Sequence, residues 1–200
     1  MTTLANRQIA RTRRRLHEAL ISLILRKGYE ATTVQDIIDE ADVGRSTFYA
    51  HYTGKEDLLR KGFEPLRAEL AAAQRNGNAT AKRSGDQGEI LSFSAAMFEH
   101  ACAHKHIYRA LVGSRGGVVV VNEMQRILSD VVQDELPRVR HGETLSRDLA
   151  VRFVVGSFMT VMTWLLERKP KVTPADADQM FRLLVIGGIG SAVRNAQPKS

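Results

Sequence analysis

The sequence predicts an all-α protein, and three observations carry that expectation. Apolar residues recur at three- and four-residue intervals in each long segment, the spacing of a buried helix face. Capping residues, glycines and prolines fall where those periodic runs begin and end. The one run with strand composition, Val118–Val121, continues into Met124, Ile127, Leu128, Val131, Val132 and Leu136 at helical spacing and so opens a helix. At 200 residues with 44% hydrophobic content, the chain can hold one or two small domains with cores of their own.

Residues before about Asn6 carry no pattern and are expected as an arm. From Arg7 to Lys27, Ile9, Leu16, Leu20, Leu23 and Ile24 share a helical face, and Gly28 stands at the position after the helix that favours a left-handed backbone. Arg7, Arg11, Arg13, Arg14 and Arg15 lie on the outer face. Thr32 to Leu59 then reads as two short helices joined by a tight turn, followed by the start of a third. Thr33 is placed to N-cap the first, with Asp36 three residues on to answer the exposed amides and the positive helix end. Val34, Ile37, Ile38 and Ala41 supply its apolar face. Asp42 sits where the chain must turn, because its short side chain tolerates a left-handed conformation. Val43 is expected as a buried plug and Gly44 as the next cap. The second helix, Arg45 to about His51, displays Arg45, Ser46, Thr47, Tyr49 and His51, while Phe48 and Tyr52 turn to the core. Spacing alone admits two readings: a helix-turn-helix whose second helix fits the major groove, or an ordinary helical hairpin with a polar outer face.

Gly54-Lys55-Glu56 opens a fourth helix expected to reach about Gln74, striped by Phe63, Leu66 and Leu70 and kinked or divided by Pro65. Asn76–Gly88 (NGNATAKRSGDQG) is polar and unperiodic, a loop and a domain boundary. Glu89–Val112 resumes helical character, and Gly113–Gly117 is expected as a loop. The latter lacks both the Lys-Ser/Thr ending and the preceding strand of a phosphate-binding loop. The helix opened by the valine run ends at Pro137, with Arg138–Glu143 as a polar connection. Ser146 caps a helix to about Arg168 that is apolar on nearly every side between Phe153 and Leu166. Thr173-Pro174, with Asp176 and Asp178 in the first turn, starts a last helix to about Val193. There Phe181, Leu184, Val185 and Ile189 are interrupted by Gly187, Gly188 and Gly190.

The net charge of +7 and pI near 9.9 favour a polyanionic partner, and the arginine cluster puts charge where a phosphate backbone could run. Cys102, the one cysteine, excludes an intrachain disulfide and a multi-cysteine metal site. In its apolar helical stretch it reads as a structural thiol in a reducing compartment. No apolar core follows the charges at the amino terminus, and the uncharged run Phe153–Leu166 is too short to span a bilayer, so a cytoplasmic protein without a membrane partner is expected. No Ser-His-Asp, paired-carboxylate or nucleotide constellation stands out, and no enzyme is expected. His100 and His104 have i, i+4 spacing with His106 nearby, but no carboxylate or cysteine completes a set, since Glu99 faces elsewhere on the helix. Neither a metal nor another cofactor is therefore expected.

Between Arg11 and Leu59 the sequence resembles the DNA-binding domain of the tetracycline-repressor (TetR) family of bacterial transcriptional regulators. The resemblance is carried by Thr33-Val34, Asp36-Ile37, Ala41, Val43, Thr47-Phe48-Tyr49, His51-Tyr52 and Lys55-Glu56-Asp57-Leu58, in register across three helices. Ile38 replaces a small residue, Asp42 a turn glycine, and Gly44 a capping Ser or Thr. None of these removes a donor that the family uses on bases. The resemblance implies a helix-turn-helix domain over residues 1–60 and an effector-binding and dimerisation domain over residues 61–200. It implies Arg45, Thr47 and Tyr49 near base edges, thymine methyls or adjoining phosphates, with Ser46 on the same helix. Thr33, His51, Tyr52 and Lys55 would anchor phosphates.

For the C-terminal part the resemblance implies a small-molecule effector in a helical pocket. Phe93, Met97, His100, Tyr108, Met124, Phe158, Met162 and Trp164 are the candidate lining, an adaptable apolar set that is also what any helical core looks like. It further implies a homodimer through Ser146–Arg168 and Thr173–Val193, which would bring two recognition helices onto a palindromic operator in double-stranded DNA. The expected function is transcriptional regulation, as a repressor relieved by a small apolar effector. Two other classes stand beside it: a helical carrier or enzyme with an incidental helix-turn-helix, and an architectural protein that binds DNA without sequence preference.

Overall fold

Capping chemistry and apolar periodicity divide the chain into helices, and the computed structural model describes residues 4–72, 91–136, 146–167 and 172–195. Among the described residues all regular structure is helical: α1 Leu4–Lys27, α2 Val34–Ala41, α3 Arg45–His51, α4 Lys55–Lys61 and α5 at residues 64–72. α6 Phe93–Ala103, α7 Lys105–Leu111, α8 Arg115–Glu135, α9 Arg147–Glu167 and α10 Pro174–Asn195 follow. The expected loop at residues 76–88 and the connection at 138–143 lie outside the described residues.

Two compact units emerge. The first comprises Met1–Leu66 with His106–Glu123, the second Arg67–Lys105 with Met124–Ser200. In the first, α1 packs on α2 and α4, and α2 on α3. Leu16, Leu20, Ile24, Tyr29, Ile37, Phe48 and Leu58 are fully buried, and Leu111 and Val120 join the same cluster. In the second, α6 packs on α9 and α10, and these two on each other. Phe93, Phe98, Phe158 and Phe181 make its aromatic centre, Phe98 and Phe158 with ring centroids 4.5 Å apart. A polar network closes the start of α6. Glu135 accepts the Ser92 amide at 3.1 Å and the Ser92 hydroxyl, while Arg182 joins Asp178 to the Leu91 carbonyl. Burial pushes the Glu135 carboxyl up despite these bonds.

Three expectations are corrected and one is borne out. α1 begins at Leu4, not near Arg7, so the expected arm is partly helical. The fourth helix divides beside Pro65, as expected: α4 ends at Gly62, where a Cβ would lie 2.1 Å from the His17 imidazole, and Pro65 falls in the first turn of α5, where its missing amide proton is not needed. The helix expected over Glu89–Val112 is broken at His104, whose φ of −104° and ψ of 16° leave the helical range. α8 starts inside the expected glycine loop, because the Ser114 hydroxyl accepts the Gly117 amide at 3.1 Å and caps the helix.

α9 is long and apolar enough to cross a membrane, but 50% of that stretch is buried within the protein, as in a core helix. Its outer stripe is Leu149, Phe153, Gly156, Thr160 and Thr163, spaced four, three, four and three residues apart. α10 exposes Met180, Leu183, Leu184 and Ile186.

Candidate nucleic-acid interface

The helix-turn-helix is built by local chemistry. Thr33 accepts the Asp36 amide at 3.1 Å, and Asp36 accepts the Thr33 amide at 2.7 Å, a reciprocal capping box. Asp36 also takes the Thr33 hydroxyl proton at 2.6 Å and the Lys27 ammonium at 2.8 Å. Lys27 first, then Thr33, hold its carboxyl well below the usual carboxylate range. At the turn Asp42 adopts φ 49° and ψ 56°, the left-handed conformation its side chain tolerates, and Arg15 bonds its carboxylate at 3.2 Å. Gly44 then starts α3 without a side-chain cap. Phe48 is fully buried, which fixes which face of α3 looks outward.

That outward face carries Arg45, Ser46, Thr47 and Tyr49, all exposed, Tyr49 at 48%. Arg45 Nη1 donates to Gln35 Oε1 at 3.3 Å, and its guanidinium carbon lies 5.6 Å from the Tyr49 ring centre. Gln35 in turn donates to Asp39 at 2.8 Å. His51 is half-buried, its ring edge-on to Tyr52. Tyr52 is 5% exposed, packed on Phe48 with Lys61 5.3 Å over its ring. Burial pushes its phenol up.

Lys55 is turned inward. Its Nζ donates to the carbonyls of Thr32 at 2.8 Å and Tyr29 at 2.9 Å, with Glu30 at 3.4 Å, and sits 4.4 Å from the Tyr29 ring centre. The ammonium ties α4 to the loop before α2. Behind it, the Tyr29 hydroxyl is buried without a hydrogen-bond partner among the described residues, and burial pushes that phenol up to about 12. Asp57 ties the same corner: burial pushes its carboxyl up, but the Thr53 amide and Lys61 outweigh it and bring it down. Of the α1 arginines, Arg13 faces Glu64 at 3.9 Å and Arg15 holds Asp42, while Arg7, Arg11 and Arg14 are exposed.

The candidate effector lining is divided between the two units. Phe93, Met97, Met124, Phe158 and Met162 are buried in the second unit, and Phe93 touches Phe158 with centroids 5.7 Å apart. His100 is half-buried and stacked on His104 at 4.2 Å, and burial followed by that neighbour lowers its pKa. Trp164 is half-buried. Tyr108 packs against the core of the first unit, and burial pushes its phenol up. A cleft of about 520 Å³ in the second unit is lined instead by Gln133, Asp134, Leu136, Arg147, Asp148 and Val151. Among the described residues no group of three His, Cys, Asp or Glu could hold a metal. Cys102 is half-buried.

Gln35 and Asp39 are missing from the sequence-based set. Their i, i+4 spacing on α2 is readable, but the reach of Gln35 across ten positions to Arg45 is not.

Residues 16–61 match the family described as bacterial regulatory proteins, tetR family, and residues 88–187 match a transcriptional regulator C-terminal region. The chain is 25% identical over 190 residues to the HTH-type transcriptional repressor KstR2 of Mycobacterium tuberculosis, covering 91% of this chain and 94% of that one. It is 35% identical over 66 residues to the uncharacterized HTH-type regulator YxbF of Bacillus subtilis, of whose length it covers 17%. The crystal structure of a TetR transcriptional regulator from Streptococcus agalactiae superposes with a TM-score of 0.61 at 25% identity, over 91% of this chain and 97% of that one.

Proposed function

Because the chain belongs to the TetR family of bacterial regulatory proteins, DNA-binding regulators of transcription, we propose that it is a cytoplasmic repressor that holds a palindromic operator as a two-fold dimer and releases it when a small apolar effector binds its C-terminal domain. The observation that carries this reading is the outward face of α3, where Arg45, Ser46, Thr47 and Tyr49 stand exposed above the buried Phe48. Arg45 is suited to guanine, Thr47 to a thymine methyl, and Tyr49 to a base edge or phosphate. Arg7, Arg11, Arg14 and His51 supply charge and donors for the flanking backbone. Thr33 and Lys55 contribute by holding the starts of α2 and α4, since their donors are spent on the protein, and Tyr52 by anchoring α3 in the core.

Dimerisation is supported by the exposed stripes of α9 and α10. Leu183 and Leu184 are 69% and 68% exposed, and a Cβ built on Gly156 or Gly187 meets open space, leaving room for a partner helix. Two α3 helices related by a dyad would then face half-sites a helical turn or more apart. The effector reading draws on the family and on the methionine- and phenylalanine-rich core of the second unit, which can repack around an apolar guest.

The test is a salt-titrated binding assay of the protein on duplexes tiled across the region upstream of its own gene. One imperfect palindrome should be held tightly against competitor DNA, and that complex then screens for effectors. Equal, salt-sensitive binding to every duplex would replace the proposal with the architectural reading.

A further inference from the structure

The geometry points to Gln35 as a specificity-setting residue that acts without touching DNA: clamped by Asp39, its side-chain amide orients Arg45 toward one guanine of the half-site. This rests on the reading of Arg45 as the base-contacting arginine.

Gln35 is the second residue of α2, outside the helix that enters the groove. Its Nε2 donates to Asp39 Oδ1 at 2.8 Å, one turn along the same helix. A carboxylate only accepts, so this bond settles which way round the amide stands, with nitrogen toward Asp39 and oxygen toward α3. Arg45 Nη1 meets that oxygen at 3.3 Å. On its other side, the guanidinium leans over Tyr49, one turn on in α3, at 5.6 Å.

Arg45 is exposed at the first position of α3, and a free arginine there samples many rotamers. Bidentate recognition of guanine O6 and N7 needs one orientation of a planar fork. Gln35 occupies one N–H of five, so a pair of donors remains for the base. The amide therefore lowers the ordering cost of the reading conformation without competing for the donors that read.

The wild-type protein first selects its preferred duplex from a random-sequence pool, and affinities are then measured for every single-base change in that half-site. Arg45→Ala should reduce discrimination at one position by about tenfold or more. Gln35→Ala should reduce it at that same position by about three- to fivefold, leaving other positions, the salt slope and the melting temperature unchanged. Asp39→Ala should reproduce the Gln35→Ala pattern in weaker form. In an Arg45→Ala background, Gln35→Ala should do nothing further. An effect of Gln35→Ala at a different base, or one that adds to that of Arg45→Ala, would mean that the amide reads DNA itself and would overturn the inference. Unchanged base preference in Gln35→Ala alone would overturn it as well. If Arg45→Ala itself leaves every base preference intact, it is the assignment of Arg45 that fails, and the positioning role falls with it.

Discussion

A lysine ammonium has three N–H donors, and at position 55 all of them face carbonyls of the segment between α1 and α2. A hydrogen bond from a charged group contributes about 1.5–3 kcal/mol. Lys55→Ala should therefore lower unfolding stability by about 2 kcal/mol in a denaturant titration, once relaxation of the exposed edge is allowed for. The folded variant should keep the wild-type salt slope on operator DNA, and a slope flatter by about one would show the ammonium exchanging carbonyls for a phosphate. Asp36 governs a different axis. Its folded carboxyl is held below the unfolded value, about 3.9, by Lys27 and then Thr33. A depressed value means its stabilisation is present above pH about 4 and is lost as pH falls through the folded value. Melting temperatures followed from neutral pH into that acid range should drop less steeply in Asp36→Asn than in the wild type. Thr33 and Asp36 were legible in the sequence because a capping box is a local pattern. The inward turn of Lys55 was not, because its acceptors lie 23 to 26 positions earlier.

The same division holds for helices. The starts of α2 and α10 follow from Thr33 and Thr173, each with an aspartate three residues on, and the end of α1 follows from Gly28 at φ 82°. The division of the fourth helix was legible at Pro65, but its place at Gly62 was not, and the break at His104 carries no comparable local signal. Gly62 is explained by His17, which belongs to another helix. The start of α8 shows why GSRGG is glycine-rich. A Cβ on Gly116 would lie 2.7 Å from the Tyr29 ring and 2.8 Å from Leu111, and the Arg115 amide donates to Glu30 at 2.8 Å on the same edge. Gly116 and Gly117 allow close packing within the first unit, whereas Gly113 takes a left-handed φ of 78°. Gly116→Ala should destabilise the protein: overpacking costs about 1–3 kcal/mol, and the gain in helix propensity returns at most about 1 kcal/mol. Thermal denaturation checks this, and an unchanged melting temperature would show that the Tyr29 ring gives way freely.

At the scale of the molecule, the apolar stripes of α9 and α10, exposed among the described residues, are the surface that the proposed dimer would bury. Leu183→Glu combined with Leu184→Glu places two charges on the proposed seam, where each would be desolvated without a partner. Light scattering at micromolar concentration should show dimers for the wild type and monomers for the variant, with helix content retained and operator affinity lowered by at least tenfold. A wild-type monomer would remove the two-fold operator reading. The sequence by itself determined the all-α class, the starts of α2, α3, α4, α9 and α10, the turn at Asp42 and the outward residues of α3, because each depends on neighbours within a few positions or on the helical period. Only the tertiary structure decided that Lys55 faces carbonyls, that Gln35 holds Arg45, that Tyr108 packs against the core of the first unit, and that His106–Glu123 joins the helix-turn-helix unit. Those outcomes depend on which distant surfaces meet, and close packing of side chains from separate helices leaves no periodic trace along the chain.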